Sequence, residues 1–167
     1  QEAARVAKEI RTEAASDASL EFTEDTFTFG LRWDWEKFRR ALLVAYGQKI
    51  FDTFAPAVRR EIQAPVATVL INKKIALMTM PGEPFVELQI NWRDRCPVPD
   101  AFFLGYANGY CGYFPTVRAA SLGGYGAASA TTWVEVGAGE RMVDRALVRV
   151  CEMLGRLADL PEDLKKK

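Results

Sequence analysis

The chain has no histidine among its 167 residues. Histidine titrates nearest neutral pH and is the commonest nitrogen ligand for metals. Its absence excludes Ser-His and Cys-His catalysis from these residues, so Ser121 and Ser129 have no base to activate them. It equally excludes a self-contained Cys/His zinc cluster. There is no surplus of positive charge either. Lys+Arg and Asp+Glu each number 22, and no nucleic-acid partner is expected from such a balance. No apolar run approaches the roughly 20 residues of a membrane-spanning helix. Cysteine is sparse: Cys96, Cys111 and Cys151 form no CxxC pair. Three unpaired thiols, two of them buried, are expected ahead of one disulfide and a free thiol. The phosphate-binding GxxxxGK, the dinucleotide GxGxxG and the GxSxG nucleophile elbow are all missing.

What is present has the balance of a globular domain, with 49% apolar and 26% charged residues. The length suits a single domain or a fragment of a larger one. Residues 2–15 read as an amphipathic helix with Ala3, Val6, Ala7, Ile10 and Ala14 on one face. These first residues do not read as a signal peptide. A start inside an uncapped helix suggests the later part of something longer. Residues 20–31 alternate as one or two half-buried strands. Asp34 is placed to cap a helix carrying Trp35, Phe38, Leu42 and Ala45, with Tyr46-Gly47 ending it. Residues 48–62 read as a second short helix interrupted by Pro56.

Two apolar runs, 66–71 and 75–80, flank the turn Asn72-Lys73-Lys74 and predict a hairpin. A helix over 85–93, with Val86, Leu88, Ile90 and Trp92 as its apolar members, then leads to a strand over 101–107. That order predicts a βαβ crossover with parallel strands. A strand over 131–136 and a long helix over 140–158 complete the pattern. The fold class is therefore α/β, or mixed α+β, with a mixed sheet and long flanking helices.

Ligands in such sheets collect beyond the carboxyl ends of the strands. Glu83 follows the first crossover strand, and the Asn108–Tyr113 segment follows the second. The crossover makes them candidate neighbours. Residues 105–129 hold four of the five tyrosines and six of the twelve glycines. The run is too irregular for a helix and too glycine-rich for a plain strand. It reads either as a packed aromatic loop or as a site in which tyrosine hydroxyls meet a ligand. Glu83 also reads two ways: a helix-start carboxylate, or a metal ligand or acid/base group.

Three motifs in order, MPGEPF (80–85), GYANGYCGYFPT (105–116) and GGYGAAS (123–129), resemble the later half of the neutral/alkaline non-lysosomal ceramidase-like family. The resemblance covers roughly residues 64–158. It implies a zinc-dependent amidohydrolase that cleaves an N-acyl amide bond and is secreted or periplasmic. It implies zinc as cofactor, with Glu83 and Tyr113 as metal ligands. The remaining histidine ligands would come from an N-terminal segment or a partner chain. It gives Tyr125 the catalytic role of a hydrogen-bond donor to the substrate amide or oxyanion. Asn108, Tyr110 and Thr116 would shape the loop or touch the substrate, an N-acyl lipid or other amide. The chain departs from the family in a shorter Glu-to-Tyr interval, in Phe-Pro-Thr after Tyr113, and in Tyr125-Gly126 where the family has Tyr-Glu. A non-catalytic module, whose Tyr/Gly loop contacts a lipid, a glycan or a protein, is the alternative expectation.

Overall fold

A computed structural model describes residues 1–12, 14, 17–55, 61–159 and 161. The elements run α1 (Glu2–Glu9), β1 (Leu20–Gly30), α2 (Trp35–Phe54), β2 (Glu61–Ile71), β3 (Ile75–Thr79), β4 (Glu83–Pro84), α3 (Val86–Arg95), β5 (Asp100–Leu104), β6 (Tyr113–Phe114), α4 (Val117–Leu122) and α5 (Ala138–Met153). The architecture is mixed α/β. One sheet has strand order β1-β2-β3-β5, and a small second sheet pairs β4 with β6.

β1 lies antiparallel to β2, and β2 antiparallel to β3. The β2–β3 turn is where the Asn-Lys-Lys sequence placed it. Asn72 and Lys73 both adopt positive φ, and Lys74 N–H closes the turn on Ile71 O at 3.0 Å. β3 and β5 run parallel, in register from Ile75↔Asp100 to Thr79↔Leu104. The crossover between them is α3. Leu88 and Trp92, four apart, are its buried residues, and Val86 and Ile90 are exposed. The expected apolar set stepped by two residues, a strand period; a helix buries positions four apart. Trp92 Nε1–H donates to Phe102 O at 3.1 Å, tying the crossover to the strand it feeds.

One face of the large sheet carries the core. Ile62, Val66, Leu70, Met78, Phe29 and Trp92 are buried there with Met142, Val143 and Val150 of α5. Phe38 and Leu42 of α2 close the same core near Trp133. α2 is split by Gly47, whose φ of 75° is not helical, so Tyr46-Gly47 does end its first part. Asp34 Oδ1 accepts from the Glu36 and Lys37 N–H groups, the expected cap.

Several expected boundaries differ. α1 ends at Glu9, and every residue in it is exposed. Ala14 lies beyond α1. The second short helix does not reach residue 62: Glu61 and Ile62 already belong to β2, and Pro56 lies outside the described residues. Residues 131–136 form no strand. Only Val134 bridges Leu31, because the Thr132 hydroxyl and N–H turn back to Gly126 O and Ser129 O. α5 stops at Met153 rather than 158, and Gly155 turns the chain away with φ 63°. All three thiols are free, with Cys111 buried and Cys96 and Cys151 half-buried. The Lys165–Lys167 tail lies outside the described residues.

α5 is held to β1 by charge as well as by packing. Asp25 accepts from Arg145 Nε at 3.1 Å and from Arg149 Nη2 at 2.6 Å. The Arg149 hydrogen bond holds the Asp25 carboxyl below its ordinary range, against the opposing effect of burial. Its contribution to stability is therefore full above the ordinary carboxylate pKa of about 4 and is lost as pH falls through the lower folded value. Asp25→Asn is expected to lower the thermal midpoint at pH 7 and to flatten the fall in stability below pH 4, measured by thermal unfolding across a pH series.

Candidate functional site

The small β4–β6 sheet builds the site. Met80 N–H bonds Leu104 O at 2.9 Å, so the chain leaves β3 still beside β5. Gly82 then allows a backbone contact. A Cβ there would lie 2.3 Å from Gly112 O, and its φ is 153°. Glu83 N–H donates to Gly112 O at 2.9 Å, and Phe85 N–H to Phe114 O at 3.0 Å. This sets Glu83 directly opposite Tyr113 in a parallel pair. The two residues that the crossover made candidate neighbours are thus paired in register.

The Tyr110 hydroxyl donates to Glu83 Oε1 at 2.6 Å. Tyr113 and Tyr106 act on the carboxylate in the same sense. Burial alone would raise the Glu83 pKa, and these hydroxyls outweigh it and hold the group below the usual carboxylate range. The converse holds for the phenols. Tyr113 is pushed well above the ordinary tyrosine value first by Glu83, and Tyr110 by burial and then by Glu83. The Tyr113 and Tyr125 rings meet edge to face with centroids 5.4 Å apart, and Tyr106 stacks on Tyr110 at 6.1 Å. Tyr125 stands out at 74% exposure.

Asn108 and Thr116 sit apart from the carboxylate. Asn108, at φ 66°, donates from Nδ2 to Thr79 Oγ1 at 3.0 Å, which fixes the loop onto the end of β3. Thr116 caps α4 by accepting from Ala119 N–H at 3.1 Å. α4 itself corrects the expectation that 105–129 holds no helix. The Pro115-Thr116 start signal was there to be read. Tyr46 was missed as well. Its phenol is pushed up by burial and then by the charges of Tyr125 and Glu83, so α2 brings the fifth tyrosine toward the same carboxylate. In the sequence its only signal was the Tyr-Gly end of a helix.

Among the described residues no group of three or more His, Cys, Asp or Glu could hold a metal ion. The donors that converge are one ionised carboxylate and phenol oxygens. Such a set fits part of a metal's coordination, and the missing ligands would have to be supplied by other residues.

No family model and no curated protein matches this chain. A solved structure described as "Ceramidase complexed with C2" is similar over 61% of this chain, at 18% identity and a TM-score of 0.49. The match spans 17% of that structure's chain. Similarity at this level fixes neither a family nor a function.

Gly126 is the local constraint on Tyr113. Its φ is 72°, and a Cβ there would lie 2.8 Å from Tyr113 Cδ1. Gly126→Ala is expected to cost about 1–2 kcal/mol from the left-handed backbone and to push the ring away from Glu83. Ultraviolet titration of tyrosine ionisation should then show one phenol falling back toward pH 10. Glu83→Gln should lower several tyrosine pKa values at once, because the carboxylate charge that opposes each phenolate is removed.

Proposed function

We propose that this chain supplies one side of the active site of a ceramidase-like, zinc-dependent amidohydrolase that cleaves an N-acyl amide bond. The observation that carries the reading is the register pair Glu83↔Tyr113, at the carboxyl ends of parallel strands, with Tyr125 against Tyr113. The three motifs of the sequence fall on these residues.

On this reading Glu83 and Tyr113 hold the metal together with histidines outside these residues. Zinc, when bound, supplies a Lewis acid and an activated water. The chain's own part is orientation and charge. Glu83 is held in its charged form by the Tyr110 hydrogen bond, with Tyr113 and Tyr106 acting in the same sense. The β4–β6 pairing sets Tyr113 in register with it. Tyr125 is placed to donate a hydrogen bond to the oxygen that gains charge as the amide is attacked. Asn108 and Thr116 hold the loop that carries these groups.

A second reading draws on the exposure of Tyr106, Tyr110 and Tyr125. These rings would then form a contact surface for a lipid, a glycan or a protein, without turnover.

The test is amide hydrolysis by a protein that also contains the histidine-bearing segment. Glu83→Gln should lower kcat/KM on the order of 100-fold or more, with zinc content falling in parallel. Retention of full activity would sink the enzymatic reading. So would tight, stoichiometric zinc binding by the 167-residue chain alone, measured by calorimetry. Binding of a ligand that is lost in Tyr125→Ala, with no hydrolysis by the wild type, would favour the contact surface.

A further inference from the structure

The large sheet has a second face, and the end of it that β3 and β5 share is apolar. Side chains alternate across a strand, so residues in register on one face form rows. The central row is Phe22–Val69–Leu77–Phe102, read straight across all four strands from the pairings Phe22↔Val69, Val69↔Leu77 and Leu77↔Phe102. Leu20, Ile71 and Ile75 flank it on one side and Leu104 on the other. Leu20, Phe22, Phe102 and Leu104 are 72%, 61%, 54% and 45% exposed. The opposite face is filled by α3 and α5. An apolar sheet face of this extent is a surface awaiting a second layer.

α1 presents the complementary problem. Its stripe Ala3, Val6, Ala7 and Ile10 is exposed along its whole length, with Val6 at 42% and Ile10 at 59%. An eight-residue helix with nothing on its apolar side is below the length at which helices hold in water. The Arg5 ion pairs to Glu2 and Glu9 are exposed and add little, so docking that stripe is the larger stabilisation open to it.

We propose that α1 docks on the open face of its own sheet, across the Phe22–Val69–Leu77–Phe102 row. Three observations select α1 over a second copy of the chain. The first is size. Four strands are roughly 19 Å across and α1 is about 12 Å long, so one short helix spans most of the row. The second is reach. Ile10 and Leu20 are ten residues apart in sequence, a connection of up to about 33 Å when extended, and Leu20 itself stands on the open face. A tethered segment also acts at an effective concentration in the mM range. The third is charge. The exposed acidic groups on the face are Glu24, Glu61 and Asp100, and Arg11 follows directly on the α1 stripe.

Amide hydrogen exchange on the full chain tests this without any assay of activity. Residues 2–9 should be protected at least tenfold over unstructured peptide rates, equally at high and low protein concentration. Phe22→Ser with Phe102→Ser should abolish that protection while α5 amides stay protected. Val6→Ser with Ile10→Ser, which leaves the sheet untouched, should raise binding of a hydrophobic dye and loosen the amides of β5. α1 exchanging at peptide rates in the wild type would overturn the proposal. So would protection that survives both double substitutions, or protection that falls on dilution, which would point to a second copy.

Discussion

Everything proposed for the site depends on one backbone contact, the approach of Gly82 to Gly112. The two strands it joins are only two residues long, Glu83–Pro84 and Tyr113–Phe114. Such short strands have little pairing energy of their own. They are brought together because β3 and β5 are parallel neighbours and both chains leave the sheet in the same direction. Any side chain at position 82 would collide with backbone rather than with a movable group. Glycine there is a requirement of the geometry. Further hydrogen bonds, from Tyr106 N–H to Gly82 O and from Cys111 N–H to Pro81 O, lock the two loops face to face.

That contact has an electrostatic consequence. Glu83 is half-buried, and its hydrogen-bond partner is the Tyr110 phenol rather than a cation. Donated hydrogen bonds stabilise its charge without neutralising it. The phenols respond in the opposite sense and are harder to ionise. The cluster therefore carries a full negative charge, with several protons held close to it. An incoming positive charge would reinforce the first trend and reverse the second, since it favours the carboxylate and the phenolates together.

How much of this was legible in the sequence follows from the period of each signal. The hairpin and the crossover were readable because 66–71 and 75–80 are continuous apolar runs flanking an obvious turn. Glu83 and Tyr113 could be made neighbours by topology, without any knowledge of side chains. The strand over 131–136 failed because an apolar-rich stretch with two threonines looks extended, while those threonines spend their hydrogen bonds on the preceding turn. α4 was hidden by the glycines around it. Tyr46 was invisible because only the tertiary path of α2 brings it to the site. The packing of α3 was misjudged where alternation was taken for amphipathicity. These are failures of range: local patterns report local structure, and the site is made by contacts 27 to 30 residues apart, such as Tyr110 with Glu83, Asn108 with Thr79 and Glu83 with Gly112–Tyr113.

The two faces of the sheet bear unequally on that site. The filled face, with Trp92, Met78 and α5, fixes the positions of β3 and β5 and so the direction in which both loops leave. The open face meets the site from the other side. Leu104 ends β5 on that face, and the chain passes through Gly105 straight to Tyr106, while Asn108 anchors on Thr79, the register partner of Leu104. The apolar row and the carboxylate cluster are therefore joined through a single turn of chain. A layer laid on the open face would bear on Leu104 and Thr79, and through them on the loop that carries Tyr106, Tyr110 and Tyr113. What covers the sheet and how the tyrosines stand around Glu83 are, on this geometry, one coupled question.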